Sequence, residues 1–155
     1  MIVDICKTLA QFGPRRFYVL NTGVSTNRPL EAAAQLLAGD GILLRYTVIS
    51  KAIGKVEKEV SQQEGGSHAD EIETSMMIFI DPASVDMTKA AKDFHVGEGK
   101  LTRIKGGEGT YSPTGIYGDA TLATREKGEK VTAAFVDGVL NDIGELKSTQ
   151  LPTLK

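Results

Sequence analysis

The chain has 155 residues, 41% hydrophobic and 25% charged, the proportions of an ordinary soluble globular domain and not of a disordered, collagen-like or disulfide-scaffold sequence. A formal net charge of -2, with basic residues scattered among acids, excludes the electrostatic footprint of a nucleic-acid binder. No stretch approaches the ~18 apolar residues of a membrane span and no secretory leader pattern opens the chain, so no membrane partner and a cytoplasmic location are expected.

Ile2, Ile5, Cys6, Leu9 and Phe12 recur at helical spacing, and Gly13-Pro14 stops the run. The single cysteine, Cys6, lies in this stripe, which makes it a buried structural thiol and leaves no internal disulfide to form. Residues 17–20 are a short apolar run ending in Asn21, Thr22 and Gly23, the outline of a buried strand opening into a polar turn, where open α/β sheets gather ligands. Asn27 and Pro29 start a second helix, with Leu30, Ala33, Ala34 and Leu37 inward and Gly39 at its end. Ile42, Leu44, Tyr46 and Val48 alternate as a second strand, and strand, helix, strand in this order predicts a right-handed crossover with parallel strands. Residues 51–66 are polar, mixed in charge and weakly periodic, a connector or irregular helix.

Residues 65–75, GGSHADEIETS, concentrate the chemistry. Ser67 with Asp70 three residues later predicts a helix start near His68. Continued through Ile80, that helix carries Ala69, Ile72, Met76, Phe79 and Ile80 on one face, with His68 and Glu73 inside the arc, Asp70 at its edge and Glu71 pointing away. A carboxylate in an apolar arc is costly to bury alone and ends up paired, protonated or metal-bound. Glu73 therefore meets an Arg or Lys or ligates a metal, and counting residues does not choose between them.

Asp81-Pro82 stops this helix, and residues 84–91 suit a short helical turn. Residues 93–118, rich in glycine, read as a long surface loop of the kind that carries function. Gly106, Gly107 and Gly109 lack the strand, lysine and hydroxyl of a phosphate-binding loop. Val131, Phe135, Val139, Ile143 and Leu146 mark the last helix, so residues 1–147 form a single α/β domain and 148–155 a fraying tail. Two strands are too few to take these helices on both faces. Either further strands hide in residues 115–121 and similar stretches, or another polypeptide completes the core.

With NTGVSTN (21–27), HADEIETS (68–75), GIYGDAT (115–121) and TREKGE (124–129) in this order, the chain resembles the C-terminal portion of the creatininase (creatinine amidohydrolase) family. The resemblance implies a three-layer α/β/α sandwich of creatininase type lacking the N-terminal strands, and assembly as a homo-oligomer, typically a hexamer. It also implies hydrolysis of a cyclic or linear amide C–N bond in a small molecule, with a divalent metal, zinc or manganese. His68 matches the family histidine of proton transfer and Glu73 the carboxylate near the metal centre. Asp70, Asn21, Ser25 and Asp119 are further candidates for contact with the substrate or with the residues around it. A metal lowers the pKa of bound water to about 7 and polarises the carbonyl, while a histidine moves protons between water and leaving nitrogen.

The family's Glu-x-His-Gly motif and following aspartate have no counterpart here, and NTGVSTN stands where many members carry a histidine-bearing turn. A transition metal takes about three or four protein ligands, so the ligand set is incomplete in this chain. A metal-dependent amidohydrolase is the reading implied. The alternative is a non-catalytic assembly or binding subunit that retains the fold and has lost the metal site.

Overall fold

Helix α1 (Ile2–Ala10), strand β1 (Arg16–Val19), helix α2 (Asn27–Gly39) and strand β2 (Leu43–Tyr46) follow one another in the predicted order. The computed structural model describes residues 1–97 and 101–154. Residues 98–100 of the long loop and residue 155 of the tail lie outside the described residues. Strands β1 and β2 pair in parallel, Arg16 opposite Leu43 and Val19 opposite Tyr46. Helices α3 (Ile49–Val60), α4 (Glu71–Ile80) and α5 (Arg125–Ser148) complete the helical set. The chain divides into two compact units, Met1–Gly54 with Phe135–Lys155, and Lys55–Ala134.

The first unit is built around Cys6 and Ala10 of α1, Ala33 and Leu37 of α2, and Ile42 and Leu44 at β2. Of the stripe predicted for α1, Cys6 is buried and Ile2 packs against this core, whereas Ile5, Leu9 and Phe12 are exposed and Ala10 takes the inward place; the two helices laid over apolar strand residues remove apolar area from water. Gly13, at φ +114°, takes the left-handed conformation that ends α1. The C-terminal part of α5 is tied to the sheet by side chains: the Tyr18 hydroxyl donates to Asp142 Oδ2 at 3.1 Å, Arg45 to Glu145 Oε2 at 2.6 Å, and Arg16 Nε to the Leu146 carbonyl at 3.1 Å. Arg16 Nη2 donates to the Thr149 carbonyl and Arg45 Nη2 to the Thr149 hydroxyl, both at 3.0 Å, and Leu154 lies against Gly41.

Over residues 51–66, where a connector or an irregular helix is expected, helix α3 runs on to Val60. Ile49, Ile53, Val56 and Val60 form a one-sided stripe. The lysines and glutamates between them dilute the apolar signal that periodicity relies on. The remaining residues, 61–66, are irregular.

In the second unit, α4 is followed by 3-10 turns at Pro82–Ser84 and Met87–Lys89, where a short helical turn is predicted. Among the described residues, the glycine-rich stretch and its flanks contain four two-residue strands, β3 (Lys92–Asp93), β4 (Leu101–Thr102), β5 (Thr110–Tyr111) and β6 (Gly118–Asp119). Strands β3 and β6 pair antiparallel, and β4 and β5 pair parallel. Strand β6 lies in residues 115–121, where a hidden strand is one of the two alternatives, but it pairs with β3 and does not extend the β1–β2 sheet. Among the described residues, no helix is long and apolar enough to cross a membrane.

Candidate functional site

Helix α4 begins at Glu71, three residues beyond His68. Its cap is Asp70, whose Oδ1 accepts from the amides of Ile72 at 2.9 Å and Glu73 at 3.0 Å. A carboxylate at this position satisfies free N–H groups and meets the positive end of the helix dipole. The start predicted from Ser67 fails because residues 67–69 are engaged elsewhere. His68 forms an antiparallel bridge with Tyr117, its carbonyl accepting from the Tyr117 amide at 2.8 Å, and Ala69 sits at φ +48°, outside any right-handed helix.

The buried side of α4 also differs from the predicted arc. Glu71, Ile72 and Ser75 are buried and Glu73 faces solvent. From Met76 to Ile80 the helix is apolar all round, so periodicity has no polar face from which to fix its rotation. Packing fixes it instead. A Cβ on Gly128, in the first turns of α5, would overlap the Ser75 carbonyl, so the two backbones touch along this line. Ser75 Oγ donates to the Glu71 carbonyl at 2.6 Å and accepts from the Thr124 amide at 3.0 Å.

The enclosed carboxylate is therefore Glu71, with a side chain 0% exposed. It accepts from the Ser61 hydroxyl at 3.2 Å, the amides of Gln62 and Gln63 at 2.8 and 2.7 Å, and Lys127 Nζ at 2.5 Å. Lys127 also donates to Gln62 Oε1 and the Leu122 carbonyl, each at 2.8 Å. Burial pushes the Glu71 carboxyl up, but the Lys127 hydrogen bond and the two amides together outweigh it and hold the pKa below the ordinary value. The lysine pairing weighed for Glu73 in the sequence is thus met at Glu71.

His68 and Glu73 come together on the surface. His68 Nδ1 lies 4.0 Å from Glu73 Oε2, with side chains 62% and 51% exposed. The same Oε2 accepts from the Ala69 amide at 2.6 Å, so the carboxylate is anchored to the backbone beside the histidine. Glu73 lines an open groove of about 460 Å³ together with the apolar Ala69, Met77 and Val85 and the charged Asp86 and Lys89.

The remaining acids predicted for the site hold the backbone. Asp70 is 2% exposed, and its Oδ2 accepts from Gln63 Nε2 at 2.8 Å. Asp119, 8% exposed, caps a 3-10 turn by accepting from the amide and hydroxyl of Thr121 at 3.1 and 2.5 Å. Asn21 and Ser25 belong to the first unit. The Asn21 amide donates to Asn27 Oδ1 at 2.9 Å and to the carbonyls of Gly23 and Thr47 at 3.0 and 3.2 Å, closing the turn after β1. Ser25 is exposed in the 3-10 turn Val24–Thr26. Among the described residues, no group of three or more His, Cys, Asp or Glu side chains is placed to hold a metal ion.

Two contributors to this region escape a reading by residue type. Gln63 is one amide in a polar stretch and carries no sequence signal. Lys127 lies inside TREKGE, and the appearance of that motif together with HADEIETS is the trace its pairing with Glu71 leaves in the sequence.

A family model described as creatinine amidohydrolase (creatininase) matches residues 1–143. The mycofactocin precursor peptide peptidase of Mycobacterium ulcerans is 33% identical over 81 residues, 51% of this chain and 32% of that protein. A manganese form of creatininase superimposes with a TM-score of 0.72 at 22% identity, covering 93% of this chain and 61% of that one. A mutant creatininase of Zn–Zn type gives the same values. The likeness shows an α/β fold of creatininase type. The chain spans about a third of the peptidase and about three-fifths of the creatininases.

Proposed function

Since the chain belongs to the creatinine amidohydrolase (creatininase) family, we propose that it serves hydrolysis of an amide C–N bond, cyclic or linear, in a small molecule or short peptide, with His68 as the proton carrier. The observation behind this reading is the exposed His68–Glu73 pair at 4.0 Å beside a groove. An amide nitrogen leaves poorly unless it is protonated, and an imidazole both accepts a proton from water and returns it to that nitrogen. Glu73, anchored on the Ala69 amide, stands 4.0 Å from the imidazole, where it limits the positions the ring takes up. The apolar lining of the groove suits the carbon skeleton of the substrate.

The related creatininases include manganese and zinc forms, and a divalent ion supplies Lewis acidity and activated water when bound. The donors here do not fit such an ion by themselves. His68 and Glu73 are two groups where about three or four are needed, and the oxygens of Asp70 and Asp119 are engaged as caps. Glu73 is proposed as one ligand of a set this chain leaves incomplete, or as the anchor of His68, and no step is routed through a metal. A reducing, cytoplasmic setting suits the lone buried thiol of Cys6.

Creatinine and a short unblocked peptide are the test substrates. His68→Ala should lower turnover about 10²-fold or more, the range of a lost acid–base group, with an unchanged circular dichroism spectrum. Glu73→Gln should lower turnover and, if Glu73 is a ligand, zinc or manganese content too. Turnover unaffected by both substitutions rejects the reading.

A second reading, a non-catalytic assembly subunit forming a homo-oligomer, is favoured by one feature. Helix α1 turns Ile5 and Leu9 outward and Phe12 follows in the turn after it, 47%, 46% and 81% exposed, the kind of apolar stripe that marks an interaction face. Association without hydrolysis of either substrate, with zinc or manganese added, identifies this case.

A further inference from the structure

We infer that Gln63 is a positioning residue for His68, an inference that rests on the proton-transfer role proposed above. One side-chain amide joins three stretches of backbone. Gln63 Oε1 accepts from the Glu71 amide at 3.2 Å and the Asp119 amide at 3.0 Å, while Nε2 donates to Asp70 Oδ2 at 2.8 Å. Both lone-pair directions of the oxygen are thereby used, and the segment before His68 is joined to the segments after it and opposite it.

The surroundings are shaped to this amide. A Cβ on Gly66 would stand 2.9 Å from both Nε2 and Oε1 of Gln63 and 2.8 Å from the Tyr117 carbonyl. One on Gly118, already at φ +149°, would stand 2.7 Å from Oε1 and overlap Asp70 Cβ. Two glycines thus bracket one glutamine, and any larger residue at either position would evict it. Close backbone approach of this kind is a use to which glycine alone is suited.

His68 is suspended between the points that Gln63 fixes. On one side Ser67 and His68 donate their amides to the Tyr117 carbonyl at 2.9 and 3.3 Å, and Tyr117 adjoins the Gly118–Asp119 segment held by Gln63 Oε1. On the other side Asp70, two residues on, is held by Nε2. Between them Ala69 stays in a left-handed conformation, which persists only where neighbouring contacts over-determine it. That conformation presents the Ala69 amide to Glu73 and sets the 4.0 Å spacing of the pair. Loss of the Gln63 amide frees both supports of this arch together.

The test uses the full chain with Gln63→Ala, and Gln63→Glu as a second variant, which retains an acceptor for the two amides but loses the donor to Asp70. His95, the other histidine, faces Asp93, and its connection to Gln63 runs through the β3–β6 pairing and not through residues 67–70, so it serves as a more distant internal reference. Imidazole chemical shifts at fixed pH should move for His68 and stay for His95. The turnover number for creatinine should fall about tenfold or more with KM within about twofold, as expected when a reacting group is misplaced and not removed. Unchanged His68 signals in a folded variant overturn the inference. So does movement of both histidines together, or failure of both variants to fold, since either marks Gln63 as general structural glue. If the unsubstituted chain hydrolyses nothing, the proposed function falls, while the contrast between His68 and His95 still decides whether Gln63 fixes His68.

Discussion

Glu71 is enclosed by protein and kept charged by four donor groups, three of them supplied by residues 61–63 and the fourth by Lys127. Removing one partner from such a pair leaves a charge that water cannot reach. Lys127→Met should therefore destabilise the protein by about 2–4 kcal/mol, read as a lower urea midpoint at pH 7. The pH dependence has a definite sign. Because the folded-state pKa of Glu71 lies below the ordinary 4.5, its contribution is fully present above that value and is lost as pH falls through the lower folded value. Glu71→Gln should flatten this acid limb of the stability curve, and an unaltered limb would contradict the assignment. Periodicity places Glu73 inward and Glu71 outward, the reverse of what the structure shows, because both precede an apolar run that surrounds the helix and only packing reveals which side is enclosed. His68, proposed above as the proton carrier, could be singled out by its residue type alone.

Helix α5 carries glycines in opposite circumstances. Gly128 touches the Ser75 backbone, and a Cβ there would also come within 2.9 Å of Phe79 Cβ, whereas a Cβ on Gly144 meets nothing within 4 Å. Gly128→Ala should cost at least the ~1–3 kcal/mol of overpacking a well-filled site. Gly144→Ala should raise stability by roughly 0.5–1 kcal/mol through helix propensity. Thermal melts of the two variants, shifted in opposite directions, check the pair. At this scale α1, β1, α2, β2 and α5 were legible, because strong periodicity and glycine or proline punctuation coincide in them. Helix α3 was concealed by alternating lysines and glutamates, and strands of two residues are too short to have a period at all.

The first unit joins Met1–Gly54 to Phe135–Lys155, so contacts such as Tyr18 with Asp142 and Arg45 with Glu145 close loops that span most of the chain. Such closures are slow to form even where they are stable. The outward stripe of α1 belongs to the same unit, and replacing Leu9 and Phe12 by glutamate should abolish any concentration-dependent rise in mass seen by light scattering while leaving the helix intact. The family was legible from the order of four motifs, yet their geometry was not: residues that looked like a reacting set divide into an exposed pair and several backbone props. Cys6 offers a way to watch this unit breathe. The thiol is 1% exposed and burial pushes its pKa up, so a thiol reagent can label it only after α1 lifts from α2. With no second cysteine to confuse the signal, the alkylation rate becomes a clock for that opening, slow in native buffer and accelerating with each increment of denaturant.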